Sequence, residues 1–237
     1  MAGPLLALAL LVLWPGGAGA AAPADDYPQH LERELARLLA SGARDSHDPR
    51  VLRELADLYL DIGDEAYPDP ARRIAAYEEG ARVAQRILER NEADGLAHYL
   101  YAANAGSAAE LKGMMASALL VKDLKAHVTR ALELHPDYPP AHHMLGRMLE
   151  ELPWFLGGDS AAGLDHLKRA VDLDPGYVHA RMDLAKSYLK RRQTTAAKRE
   201  LLAIIRMSHP RNPYTWRVKY RPEAERLLAG LDPTDGR

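Results

Sequence analysis

The sequence contains no cysteine. That excludes disulfides, thiolate metal sites, cysteine nucleophiles and the lipid-bearing cysteine of bacterial lipoproteins. Phenylalanine occurs once, and neither sign of charge dominates: 31 basic residues face 33 acidic ones, for a formal net charge of -2. So even a balance gives no whole-molecule attraction for nucleic acid. Long apolar runs are missing as well, with one exception at the start. Leu5 to Trp14 is continuously apolar, too short to span a bilayer, and Pro15-Gly16-Gly17 breaks it. The small residues Ala18-Gly19-Ala20 then suit a leader-peptidase cut. Residues 1–20 are therefore predicted to be a signal peptide. The mature chain is predicted to be periplasmic or secreted, with no stable membrane insertion after the leader is removed. No segment alternates apolar and polar residues as a strand would. There is no glycine-rich phosphate loop, no serine in a strand-turn-helix setting and no His-Glu-x-x-His string. We expect no catalytic residues, no metal, no cofactor and no enzyme activity.

What the chain does have is a recurring phrase. Ala131-Leu132-Glu133-Leu134-His135-Pro136 returns as Ala170-Val171-Asp172-Leu173-Asp174-Pro175, and more weakly as Ile204 to Pro210. Each copy reads as the last turn of a helix running into a proline that cannot continue it. Self-similarity of this kind marks stacked helix pairs, which serve as binding surfaces more often than as catalytic centres. Residues 21–27 read as a linker, 28–231 as the repeat domain and 232–237 as a disordered tail. Within the domain, helical periodicity predicts helices over 29–40, 49–62, 71–90, 94–105, 119–134, 140–150, 161–173, 177–190, 194–207 and 223–231. The last of these is a cap for the array.

The pairs resemble tetratricopeptide repeats, units of about 34 residues with small residues where two helices cross. Arg181, Leu184, Ala185 and Tyr188 fit the first helix of such a unit without gaps, and Ala197, Leu201 and Ile204 fit the second. The other three pairs are widened between their helices: at the proline loop around Pro68, between Gly106 and Gly113, and at Leu152-Pro153-Trp154-Phe155-Leu156-Gly157-Gly158-Asp159. Ala97-His98-Tyr99, Ala102-Ala103-Asn104 and above all the Leu-Pro-x-x-Leu-Gly-Gly-Asp string resemble a narrower family. This is the tetratricopeptide T component associated with tripartite ATP-independent periplasmic (TRAP) transporters. The resemblance implies an all-α solenoid of about four degenerate helix pairs that partners a periplasmic solute-binding protein.

Candidate binding residues follow from the repeat. First helices line the concave face of such an array, which nominates Tyr59, Tyr101, His142, Arg181 and Tyr188. The widest joint nominates Trp154 and Phe155 as an apolar contact, Gly157 and Gly158 for close backbone approach, and Asp159 as a helix cap. The ten histidines are scattered, and adjacent His142 and His143 point to different helix faces. The basic, aromatic stretch holding Arg211, Tyr214, Trp216, Arg217, Lys219, Tyr220 and Arg221 reads either as a site for an acidic partner or as an arm pinned to the last repeat. The function expected is a protein–protein scaffold. The alternative is binding of an organic acid or hydrophobic solute in a pocket closed by the inter-helix insertions.

Overall fold

A computed structural model describes residues 27–231. The predicted signal peptide, all but Tyr27 of the linker, and the tail at 232–237 lie outside the described residues. Among those described, the chain is helical without strands. After an N-terminal helix α1 (Gln29–Ala40), four antiparallel pairs follow: α2 (Pro49–Asp61) with α3 (Pro70–Leu88), α4 (Gly95–Lys112) with α5 (Met114–Leu134), α6 (Pro139–Glu151) with α7 (Ser160–Leu173), and α8 (Val178–Lys190) with α9 (Thr194–Ile205). A short turn α10 (Pro213–Thr215), a π turn (Trp216–Tyr220) and α11 (Arg221–Ala229) close the array, α11 packing on α9. The solenoid predicted from the repeat is therefore the observed architecture.

Local chemistry explains the helix starts. Asp48, Asp69, Asp94 and Asp159 each accept a hydrogen bond from a backbone N–H of the first turn, satisfying donors that have no partner inside the helix. Small residues let helices cross closely. A methyl group on Gly146 of α6 would sit 3.0 Å from the Gly163 carbonyl oxygen of α7, so the pair can approach only because both positions lack a side chain.

One widened joint differs from expectation. Between Gly106 and Gly113 the sequence predicts a break, yet α4 continues to Lys112 and α5 begins at Met114. The Ala-Gly-Ser-Ala-Ala stretch is helix-compatible, Ala108 and Ala109 are buried, and packing overrides the weak propensity of glycine. Only Gly113, at φ 105, interrupts the helices. The extra residues therefore lengthen two helices.

The main apolar core runs from Leu31 to Leu149. Smaller clusters lie between α7, α8 and α9, and beneath α11. The seam between the third and fourth pairs also carries a polar network beside its apolar cluster. Ser187 donates to Glu150 (2.5 Å), and Arg191 reaches Glu150 (2.8 Å), the Ser187 hydroxyl (2.7 Å) and Ser160. The Glu150 side chain and Ser187 are nearly inaccessible, so this network satisfies charge that would otherwise be costly to bury.

Candidate functional site

The inner faces of α2, α4, α6 and α8 surround a cavity of about 1010 Å³. Its wall has three chemical zones. An acidic zone comes from Asp57 and Asp61 of α2, Asp64 and Glu65 of a π turn (Ile62–Ala66), and Glu110 of α4. An apolar zone comes from the lengthened α4–α5 hairpin and α6, including Leu111, Val121, Leu124, Met144 and Met148. A third zone, of rings and hydrogen-bonded histidine, comes from α6 and α8.

In that third zone His143 Nε2 lies 2.7 Å from Asp183 Oδ2, and its Nδ1 lies 3.1 Å from the Tyr177 hydroxyl. The carboxylate accepts, so Nε2 carries the proton, Nδ1 accepts from Tyr177, and both ring nitrogens are engaged. Asp183 is held below the usual carboxylate range, burial working against it and the bond from His143 and the charge of Arg147 outweighing that burial. Burial pushes His179 down to about 3, with His143 and Lys219 adding to the effect. Burial likewise pushes Tyr138 up to about 12 and Tyr177 higher, so these hydroxyls stay protonated, that of Tyr177 donating to His143.

The acidic zone carries unbalanced charge. Asp61 borders the open interior of the cavity, with protein on the remaining sides. That surrounding protein pushes it up to about 7; Asp57 and Asp64 add like-charge repulsion, and Arg211 opposes them. Asp57 and Asp64 are exposed to the open cavity, yet the protein packed around them raises both, against Arg211 at Asp57 and against a 2.6 Å bond from the Tyr77 hydroxyl at Asp64.

The fourth side of the cavity is a strap made of residues 211–220. It is pinned to the last pair by Trp216 Nε1, which donates to the Ile204 carbonyl (2.7 Å), and by the Arg211 N–H, which donates to the Gly176 carbonyl (3.0 Å). The turn between these two anchors reaches the first pair. Asn212 Nδ2 (2.7 Å) and Thr215 Oγ1 (2.6 Å) both donate to Glu65 Oε1, and Tyr27 donates to Glu65 Oε2. The Tyr27 and Tyr214 rings meet at 4.7 Å. The first described residue and the strap thus converge on one carboxylate, which itself stands in a π turn, a wide turn often found at functional sites. The basic aromatic stretch is pinned to the last repeat as one of its two sequence readings held, and it also crosses the cavity.

The residues nominated from the sequence fall elsewhere. Tyr59 is buried in the main core. Tyr101 turns toward α5, donating to Asp123 (3.2 Å) and stacking on His127 at 4.4 Å. His142 meets His166 of α7 at 2.8 Å. Arg181 meets Glu200 of α9 at 2.6 Å, and with Tyr188 it lines a separate groove of about 460 Å³. The cavity side of α6 is occupied by His143, one residue away from His142. A one-residue step turns a side chain by about 100°, and this is the error in placing the concave face.

His98, His142 and Arg181 share a repeated role that the sequence analysis missed. Each stands four residues past its helix cap, bonds the carbonyl of the preceding turn (Glu92, Pro136 or Pro175), and meets a second-helix partner (His127, His166 or Glu200). In the histidine pairs the carbonyl requires Nε2–H on the first ring, so the second ring donates through its Nδ1–H. Burial holds His127 and His166 below the usual imidazole range. The spacings 98, 142, 181 and 127, 166, 200 were the available signal.

At the Leu152 joint, Pro153 to Gly158 form a tight turn, with Gly157 at φ 84 and the Gly158 N–H bonded to the Pro153 carbonyl (3.0 Å). A side chain on Gly158 would strike the Leu152 backbone. Asp159 caps α7. Trp154 is 84% exposed, and Phe155 lies beside it outside the cavity. Among the described residues no three metal-binding side chains converge, and no helix is long and apolar enough to cross a membrane.

The model of the family described as regulator of microtubule dynamics protein 1-3 matches residues 23–151, more than half of the chain. The chain belongs to this family. A tetratricopeptide-repeat model matches residues 156–219, and the two matches meet at the Trp154 turn, where the main core also ends. It is this family, and not the transporter T component, that matches. Relatives include regulator of microtubule dynamics protein 1 of Bos taurus, 26% identical over 70% of this chain and 58% of the relative. Protein 3 of Mus musculus is 26% identical over 73% of this chain and 39% of the relative. The chain thus spans less than two thirds of the length of these relatives. A thermophilic tetratricopeptide-repeat protein of Thermus thermophilus superposes with a TM-score of 0.62 at 16% identity, covering 84% of this chain and 92% of that one. At that identity the likeness concerns the fold.

Proposed function

We propose that this member of the microtubule-dynamics regulator family is a protein-interaction module whose central cavity receives a segment of a partner protein. The observation that carries this is the cavity itself: four successive first helices present an acidic zone, an apolar zone and a ring zone on one continuous inner wall. A wall with several chemistries along its length suits an extended polypeptide better than a single small group. Binding without catalysis is the reading that the side chains favour. Both nitrogens of His143 are engaged, and the cavity tyrosines are shifted away from the range in which they could serve as bases.

Two partner classes are at hand. The relatives' name points to microtubule regulation, and the leader-like start with its resemblance to the TRAP T component points to an exported chain and a solute-binding protein. Affinity purification of the full chain from its native cell, quantified by mass spectrometry, tests the module and separates the classes. Proteins captured by wild type should be lost with Arg147→Glu and Asp61→Lys and kept with Lys168→Glu, a partly exposed residue of the outer groove. Capture indifferent to the wall substitutions would sink the proposal.

A second reading, binding of an organic acid or hydrophobic solute, is favoured by the cavity volume, which lies at the upper end of small-molecule sites. A thermal-shift screen against such solutes distinguishes it.

A further inference from the structure

The strap and the acidic zone are complementary in charge. Lys219 and Arg211 line the same cavity as the acidic zone. Lys219 partly offsets the raised Asp64 and Glu65 and Arg211 the raised Asp57 and Asp61 at longer range, while the close ion pair of Arg211 is with Asp174 (3.7 Å). Tyr214 and Val218 lie between the two cations and Tyr220 just after the second, and they present rings and an apolar side chain to the same cavity. At its leading edge Asn212 caps the turn through the Thr215 N–H (3.0 Å), and both residues donate to Glu65. The strap therefore does to the acidic wall what a bound peptide would do: it supplies cations to carboxylates, rings to the interior and a capped turn to the rim.

We infer that the strap is a built-in occupant of the partner site, and that the partner segment which displaces it is basic and aromatic like the strap. This rests on the partner reading above and adds the chemistry of the partner and a closed state of the module. Two features make displacement feasible. The strap meets the first pair through polar contacts around Glu65, and Tyr214 meets the Tyr27 ring; such contacts exchange with a competitor at little net cost. Anchors at Arg211 on one side and at Trp216, Tyr220 and α11 on the other flank Asn212 and Thr215, so the turn between them can release Glu65 without leaving the fold. A partner segment must then compete with a strap that is permanently at high local concentration. Weakening the latch should raise affinity without touching the wall.

The test uses the full chain and a labelled peptide with the sequence of residues 210–222, read by fluorescence anisotropy. Asn212→Ala with Thr215→Ala removes the latch and keeps the wall, and hydrogen exchange of the strap amides reports its release. The peptide should bind this variant at least tenfold more tightly than wild type. Asp61→Asn with Asp64→Asn should abolish the gain, and a peptide with its Arg and Lys replaced by Glu should not bind. Tyr214→Ala, which removes the ring contact instead, provides a second released form should the first fold poorly. A released strap with no gain in peptide binding, or equal binding of the charge-reversed peptide, would overturn strap mimicry while leaving the partner reading intact. Strap amides that exchange no faster in either variant would overturn the latch. Partner capture blind to the wall substitutions would remove the partner reading regardless of what the peptide does.

Discussion

Gly80→Ala should be among the most damaging single-methyl changes in the molecule. Gly80 lies on α3 against Asn104 of α4, which is fully buried. Asn104 Nδ2 donates to the Ala56 carbonyl of α2 (3.1 Å) and to the Leu100 carbonyl of its own helix (2.9 Å), so one amide ties α4 to α2 while α3 packs against it at Gly80. A methyl on Gly80 would lie 2.5 Å from Asn104 Cγ and 2.8 Å from Nδ2. The amide cannot swing aside without giving up the bond to Ala56. Leaving those groups unpaired costs about 1–3 kcal/mol, and overpacking adds about 1–3 kcal/mol. Replacing a mid-helix glycine by alanine returns about 1 kcal/mol, for a net loss of roughly 1–5 kcal/mol. In a chain of this size that lowers Tm by roughly 2–20 °C. The assay is calorimetry with a double-mutant cycle. In an Asn104→Ala background the obstruction is gone, so Gly80→Ala should become neutral or stabilising by up to about 1 kcal/mol. A neutral Gly80→Ala in the native chain, or the same loss in both backgrounds, would refute the reasoning.

Other outcomes follow from the same geometry. Glu200→Gln leaves the Arg181 guanidinium unpaired where both side chains are nearly inaccessible, and should cost about 3–5 kcal/mol by urea unfolding. Trp154→Ala, at a side chain 84% exposed, should change stability by no more than about 0.5 kcal/mol in the same assay. The native state holds His127, His166 and His179 below the ordinary imidazole range, so the unfolded chain binds protons more readily at acid pH. Their contribution is complete above about 6.5 and is lost as pH falls through the native values. Tm should therefore drop from pH 7 to pH 4, and His179→Gln should flatten that slope. Asp61 shifts the other way, raised to about 7, so its ionisation opposes folding as pH rises from about 4 through 7. Asp61→Asn should raise Tm more at pH 8 than at pH 5.

The helices were legible because their signals are local. Aspartate caps, proline starts and the Ala-Leu-x-Leu-x-Pro endings fix nearly every boundary. The exception, Gly106 to Gly113, was misread because glycine and serine weaken a helix locally while buried alanines on α4 restore it through packing. Asn104 illustrates a second limit. It stood in the Ala102-Ala103-Asn104 string that carries the resemblance to a transporter component, and its role is to bond α2 beside Gly80, a contact spanning three helices that no spacing reveals. The site was less legible than the fold. His142 and His143 are equivalent in sequence terms, and which one enters the cavity depends on how α6 is rotated against α7. The Glu65 latch joins residues 27, 65, 212 and 215 across the whole array, so its parts share no local pattern. Only the basic aromatic composition of the strap was visible, as an arm without a destination.

The most direct test of the partner site is photo-crosslinking from within the cavity of the full chain. A photoreactive residue at Met144, on the cavity wall, should capture a partner protein, and the peptide of residues 210–222 should compete that capture away. The same residue at Met114, exposed on α5 away from the cavity lining, should not. Capture from Met114 with none from Met144, or capture from Met144 that the peptide leaves unchanged, would contradict the account.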